Sequence, residues 1–312
     1  MQATQHSSFA GDLLRALAQP CKSISPKYFY DAAGSQLFDQ ICELPEYYPT
    51  RTEVALLRQV APEIAILAGP HAELIEFGAG SLTKVRLLLQ AMQAPRRYLP
   101  VDISGDYLQA SAQRLGEDFP GLEIVPIVAD YTQSLNLPAV ADAYGHRIGF
   151  FPGSTIGNFT PQEAQDFLSG SATLLRGGAL LLGADLVKHP DTLHAAYNDT
   201  QGVTAAFNLN LLVRANRELG TDFVVSQFTH SAFYNAPLQR IEMHLVSKCR
   251  QEVRLGETCF RFEEGETLHT ENSYKFTVDG VRALAQQAGF TPGTVWTDPH
   301  KLFSLHWLIA PT

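Results

Sequence analysis

The chain has 312 residues, 45% of them hydrophobic and 18% charged, which bounds it to one large or two modest globular domains. Its 23 basic and 32 acidic residues give a formal charge of −9 with no run of Lys and Arg, which argues against a nucleic-acid backbone as the main partner. No apolar stretch approaches the roughly 20 residues that a membrane span needs, and the polar start MQATQHSSFAGDLLRAL lacks a signal peptide's apolar core.

Cys21, Cys42, Cys249 and Cys259 have no CxxC spacing, so reduced thiols in a cytoplasm are expected. The ten histidines form no HExxH and no paired ligand spacing, so no metal site is expected.

Along the chain, helices are predicted over 8–18, 35–44 and 52–67, the last interrupted by Pro62, with PEYYPT (45–50) as a Pro-flanked aromatic loop. From residue 72 short apolar strands alternate with amphipathic helices. Strands are expected at 72–77, 97–104, 122–130, 147–153 and 179–187, and helices at 82–93, 105–116 and 161–175. That alternation means a parallel sheet with both faces covered. After Pro190 it stops. Residues 191–219 read as helix, two or three antiparallel strands follow, 278–289 returns to helix and 301–310 is a final strand. The fold class is therefore α/β: a Rossmann-like core over 61–190 and 275–312, with a second α+β domain over 1–60 and 191–274.

The stretch LIEFGAGSLTK (74–84) puts a glycine turn between a strand and a helix. Glycine there lets backbone approach a ligand, and equally serves a tight turn with no ligand. G-x-G-x-x-G fails at Thr83, and no G-K-[ST] closes the loop, so neither a pyrophosphate cradle nor a Walker loop is present. Three acids remain at successive strand ends: Glu76, Asp102 and Asp130. Each alone reads as a cap or turn residue. Together they favour an adenosyl ligand without a pyrophosphate, the pattern of S-adenosylmethionine (SAM) enzymes.

The segments FYDAAGSQLFDQICELPEYYPTRTE (29–53), EFGAGSLTK (76–84), PVDIS (100–104), PGSTIGNF (152–159), ADLVK (184–188), GVTAAFNLN (202–210), RIEMHLV (240–246) and TENSYKF (270–276) resemble, in order, those of the ergothioneine-pathway L-histidine Nα-methyltransferases. The resemblance covers nearly the whole chain. It implies a Rossmann-like SAM methyltransferase core with a substrate-binding domain, and transfer of three methyl groups from SAM to the histidine α-amine, giving hercynine in the first step of ergothioneine biosynthesis. It implies L-histidine as small-molecule partner and SAM as co-substrate; a cytoplasmic monomer is expected. Gly78, Lys84, Asp102, Asp130 and Tyr131 match cofactor positions. Asn158 and Tyr197 match holders of the substrate carboxylate, and Tyr30 the residue near the α-amine. Tyr47, Glu271 and Ser273 match those around the imidazole, with Met243 as a pocket wall.

Read without the resemblance, Tyr30 and Tyr47 are half-buried aromatics with a polar tip. Asn158 is a loop residue before the Thr160 cap, and Met243 is core. The family's glycine loop is expected to read closer to GSGSS. Here Ala79 and Leu82 stand at polar positions, which implies tuned SAM affinity. The alternatives are an N-methyltransferase of another amino acid, tryptophan-like included, and a SAM-binding module without turnover.

Overall fold

The computed structural model describes residues 8–80, 82–138 and 146–312; Ser81, at the head of the predicted helix 82–93, lies outside them. The chain divides into two compact units, Met1–Tyr47 with Pro190–Asn272 and Tyr48–His189 with Ser273–Thr312. The division falls at 47/48 and not at the expected 60/61. The reason is the third helix, whose residues Leu57, Val60 and Ile64 are part of the core of the second unit.

The first unit opens with α1 (Phe9–Ala18), the two-residue β1 (Lys22–Ser23) and α2 (Ala32–Glu43). Asp31 caps α2 by accepting the Gly34 N–H at 2.8 Å.

The second unit begins with α3 (Tyr48–Ala68), followed by β2 (Glu73–Phe77), α4 (Thr83–Ala91), β3 (Arg97–Asp102) and α5 (Gly105–Asp118). Two corrections fall on α3. It starts inside the expected PEYYPT loop, because Pro49 sits in its first turn, where a missing N–H costs nothing. It also runs unbroken through Pro62, with Val60, Ala61, Ile64 and Ala65 buried around it, so packing offsets one lost helical bond. The expected strand 122–130 is two short pieces, β4 (Glu123–Ile124) and β5 (Ile127–Val128). Then come β6 (Arg147–Phe151), α6 (Pro161–Leu174) and β7 (Ala179–Asp185).

The chain returns to the first unit with α7 (Pro190–Tyr197) and α8 (Val203–Leu219), separated by a turn that Asp199 caps. Five strands follow, not two or three: β8 (Phe228–Asn235), β9 (Arg240–Ser247), β10 (Gln251–Leu255), β11 (Thr258–Phe262) and β12 (Thr267–Tyr274). Three of them join β1 in the order β1-β12-β9-β8, while β10 and β11 form their own hairpin. In β9 the alternation of buried and half-exposed residues breaks at Glu242, which is buried and held by Arg240, Asn235 and His244.

The second unit closes with α9 (Val278–Gln287), β13 (Thr291–Thr297) and β14 (Phe303–Ile309). Its sheet has the order β13-β14-β7-β6-β2-β3-β4, with β5 also on β3. The pairs from β7 through β3 to β4 and β5 are parallel, and β14 and β13 add antiparallel. β13 escapes sequence detection because Pro292 and Gly293 break its pattern. In the structure they sit at an edge strand with a register shift, where both are tolerated. One sheet face packs Leu74, Phe150 and Leu181 against α3 and α4; the other packs Ile75, Phe151 and Leu182 against α6 and α9. This is the covered parallel sheet that near-continuous apolar strands demand.

Candidate active-site residues in the two units

In the second unit the strand order reverses between β2 and β6, so the carboxyl ends of these strands define the crevice where open α/β sheets bind ligands. Gly78 leaves β2 at φ 71°, a conformation that costs glycine little. Its N–H donates to the Val101 carbonyl at 2.9 Å, which folds the turn back on the end of β3. Asp102, the last residue of β3, accepts the Gly80 N–H through Oδ2 at 3.3 Å and the Ser104 N–H through Oδ1 at 2.9 Å. The carboxylate thus ties both loops together. With about four lone-pair sites it keeps capacity for ribose hydroxyls.

The Tyr131 ring lies against Gly78, where an added Cβ would sit 3.5 Å from it, and packs edge-on to Phe77 and Phe151. Asp130 beside it accepts the Thr132 N–H at 3.0 Å. Ala79 and Leu82, the departures from the polar loop pattern, are buried in the core and so fill the unit's interior. Leu82 does so at φ 59°, a left-handed conformation that bulky residues rarely hold.

Glu76 is buried away from any rim, accepts the Tyr98 hydroxyl, and burial pushes its carboxyl up to about 8 against that hydrogen bond, which favours the protonated form at pH 7.

Lys84 pairs with Glu53 at 2.6 Å, and Glu53 also accepts the Gly153 N–H through both oxygens at 3.0 and 2.9 Å. Helix α3, the β2–α4 turn and the β6 end are joined at that carboxylate. Sequence reasoning assigned Glu53 nothing. The signal was available: Glu53, Leu56, Leu57 and Val60 fall at helical spacing on one buried face.

Asn158 ends a single 3₁₀ turn, Thr155–Asn158, and among the described residues its amide makes no hydrogen bond. A Cβ on Gly157 would lie 2.7 Å from the Tyr274 carbonyl, so this turn sits directly against the end of β12, one residue past Ser273. Ser273 is buried and accepts from Lys275 Nζ at 2.7 Å.

In the first unit Tyr30, Phe38, Tyr47 and Tyr197 form a chain of edge-on rings at 5.7, 6.4 and 6.4 Å, and Phe207 of α8 closes on Tyr30 at 5.8 Å. Burial pushes the Tyr47 hydroxyl well above its ordinary value, and Tyr197, Glu271 and Tyr30 add to that. Tyr30, Tyr47, Tyr197 and Glu271 are therefore brought together. Met243 is buried on β9, and its carbonyl accepts Thr270 Oγ1 at 3.0 Å. Asn208, fully buried and also unassigned from sequence, donates to His230 Nδ1 and the His244 carbonyl and accepts from Thr270. His230 in turn donates through Nε2 to the Tyr197 carbonyl at 2.9 Å, which fixes that end of α7.

Glu242, His244 and His269 bring one possible metal-ligating atom each within 4.8 Å, a juxtaposition that spacing along the chain does not reveal. Glu242 Oε1 is already taken by Arg240 and Asn235, and His269 Nε2 donates to the Glu271 carbonyl.

A doubly wound sheet with an antiparallel edge, a glycine turn after its first strand and a carboxylate ending the next defines a SAM-dependent methyltransferase. A family model described as "Histidine-specific methyltransferase, SAM-dependent" matches residues 9–310, and the chain belongs to that family. It is 44% identical over 301 residues to the histidine N-alpha-methyltransferase of Mycolicibacterium smegmatis, covering 94% of this chain and 92% of that one. It is 41% identical over 307 residues to that of Mycobacterium tuberculosis, covering 96% and 94%. The ergothioneine biosynthesis protein 1 of Neurospora crassa is 29% identical over 298 residues, 89% of this chain and 32% of its own.

Proposed function

We propose that the chain transfers three methyl groups to the α-amine of L-histidine, giving hercynine, the first step of ergothioneine biosynthesis. The reading is carried by the histidine-specific family match over residues 9–310, and in the first unit by Glu271 near the ring chain of Tyr30, Tyr47 and Tyr197. That set supplies an acceptor for an imidazole N–H together with aromatic walls that tolerate a methylated cation.

SAM supplies an electrophilic methyl on a sulfonium whose leaving group is neutral, so no acid is needed at the leaving side. Asp102 would hold its ribose, Asp130 and Tyr131 its adenine, and Gly78 and Lys84 the loop around it. Backbone freedom at Gly78 and spare acceptor capacity on Asp102 support that fit. Asn158 and Tyr197 hold the substrate carboxylate, and the amide of Asn158 is available for it. Tyr30 orients the amine so that its lone pair is presented in line, and the amine proton passes to solvent before attack. Tyr47, Glu271 and Ser273 surround the imidazole, and Met243 closes the wall. Rate comes from alignment more than from acid–base work.

The partner is a small molecule, the working state a cytoplasmic monomer, and no metal is required. The acidic balance opposes nucleic acid, and among the described residues no helix is long and apolar enough to cross a membrane. A turnover screen of the free amino acids with SAM, read by mass spectrometry, tests the function. A product of histidine three methyl groups heavier supports it; turnover of tryptophan with none of histidine moves the assignment to the other amino-acid class; binding of SAM with no turnover at all makes the chain a binding module.

A further inference from the structure

Asn208 of α8 is fully buried, and both protons of its amide are used. Nδ2 donates to the His244 carbonyl at 3.1 Å and to His230 Nδ1 at 2.9 Å, and Oδ1 accepts from Thr270 Oγ1 at 2.8 Å. The His244 carbonyl can only accept, so the amide cannot turn over without setting oxygen against oxygen. That orientation decides the imidazole. His230 Nδ1 faces an N–H and must be the lone-pair nitrogen, so the ring's one proton sits on Nε2, which donates to the Tyr197 carbonyl at 2.9 Å. Tyr197 is the last residue of α7, a helix of 8 residues, and a terminal carbonyl has no partner within its own helix. A side chain of β8 supplies that partner. In return Asn198 Nδ2 donates to the Ala232 carbonyl of β8 at 3.1 Å, so the end of α7 is tied to this strand at two points. The ring that Tyr197 presents lies edge-on to Tyr47 at 6.4 Å. The same amide of Asn208 holds the chain neighbours of two further residues proposed at the substrate, His244 after Met243 and Thr270 before Glu271.

We propose that Asn208 and His230 are positioning residues for the substrate: Asn208 locks His230 as the neutral Nε2–H tautomer, and that proton sets the end of α7 from which Tyr197 holds the substrate carboxylate. The inference rests on the reading of Tyr197 as a carboxylate holder, and all of these residues belong to the first unit. A second proton on His230 would set N–H against N–H at Nδ1, so the lock keeps the ring uncharged. Burial acts in the same direction and holds the ring below its ordinary value, against the Tyr197 carbonyl and Asp199. Asp199, in the turn between α7 and α8, is the charged group that acts on His230. On β9, His244 pairs with Ser231, so its side chain points to the opposite face of the sheet. Neither Asn208 nor His230 needs to touch the substrate; both act through the placement of Tyr197.

Histidine KM, kcat and SAM affinity are measured for His230→Phe, which keeps the bulk of the ring and removes the donor, and for His230→Gln, whose side-chain N–H can replace Nε2–H. The expected result is a histidine KM raised roughly tenfold in His230→Phe, with kcat at saturation and SAM affinity little changed, and a KM largely restored in His230→Gln. An unaltered histidine KM in His230→Phe overturns the proposal. So does a joint fall of histidine and SAM affinity, which would mean that the network serves the fold as a whole. NMR of the imidazole nitrogens in the unaltered protein, without substrate, is the second measurement and depends on no variant's folding. His230 is expected as the Nε2–H tautomer throughout, between about pH 6 and 8, where an ordinary imidazole gains its charge near 6.5. An Nδ1–H tautomer, or a ring that titrates over that range, overturns the lock. Tyr197→Phe separates the two readings. A raised histidine KM there with an unaltered one in His230→Phe overturns this proposal alone; an unaltered KM in Tyr197→Phe removes Tyr197 from the carboxylate, and the proposal falls with that site assignment.

Discussion

Glu53 and Lys84 form an ion pair of 2.6 Å in which the Glu53 side chain is wholly buried and that of Lys84 is 19% exposed. The pair fastens α3 to α4, and through the Gly153 N–H it also fastens the end of β6. Breaking a buried pair from one side leaves a stranded charge, which costs about 3–5 kcal/mol, whereas removing both charges costs far less. Lys84→Met is therefore expected to lower unfolding stability by about that amount, and Glu53→Gln with Lys84→Met to recover most of it. Urea unfolding of the four proteins of the cycle measures it. Additive losses would show that the two residues do not work as a pair.

Asp102→Ala is expected to weaken SAM binding by about 1.5–3 kcal/mol, the worth of hydrogen bonds to a charged acceptor. Because Asp102 also holds Gly80 and Ser104, Asp102→Asn, which keeps one acceptor oxygen, should lose less. Calorimetric titration with SAM decides it, and an affinity equal to that of the unaltered protein removes the ribose from this position.

The buried Glu76 makes a prediction about pH. Its folded value, about 8, lies above the ordinary 4.5 of an unfolded glutamate, so the folded state binds the proton more tightly. The stability it contributes is fully present below pH 4.5 and is lost as pH rises through 8. Glu76→Gln mimics the neutral acid and has no proton to lose. Urea unfolding of both proteins between pH 5 and 8.5 should show the unaltered protein losing stability relative to Glu76→Gln as pH rises. A constant difference would mean that Glu76 is ionised throughout.

Tyr30→Phe keeps the ring contacts with Phe38 and Phe207 and removes only the hydroxyl. If that hydroxyl aligns the amine, kcat falls more than histidine binding weakens. Collapse of histidine affinity with normal turnover at saturation would make Tyr30 a binding residue.

Glu271→Ala is expected to reduce kcat/KM for histidine roughly tenfold to a hundredfold, the equivalent of about 1.5–3 kcal/mol, and to relax rejection of tryptophan. A histidine-to-tryptophan ratio equal to that of the unaltered enzyme shows that Glu271 does not read the side chain.

Much of the fold could be read from residue patterns because its strands are uninterrupted apolar runs. ELIEF and ALLLGAD are buried along their whole length, as parallel strands between helical layers must be. Signals failed where a local rule was overridden by packing. Pro62 lies mid-helix, Pro292 sits in an edge strand, and Glu242 occupies a buried position because Arg240 neutralises it and Asn235 donates a hydrogen bond to it. The residues proposed for the cofactor were legible as a glycine turn with acids at strand ends. Glu76, one of those acids, is pushed towards its neutral form by burial, and its partner Tyr98 lies on a neighbouring strand, so only the fold reveals its surroundings. The aromatic residues of the first unit were assigned through family motifs. Periodicity could not group Tyr30, Tyr47 and Tyr197, because the grouping joins two residues of the connections before α2 and α3 to the end of α7, far along the chain.

The pairing of β7 with β14 joins Ala179–Asp185 to Phe303–Ile309 across the whole intervening segment. During synthesis the parallel strands are all made by Asp185, yet β7 must wait for Phe303–Ile309 before its outer edge is covered. Until then Leu180 and Leu182 stand on a strand paired only with β6, whose open edge is a template for any other chain in the same state. Chains that stall, or are clipped, before Phe303 are expected to self-associate through that edge, so β14 guards solubility as much as it completes the sheet.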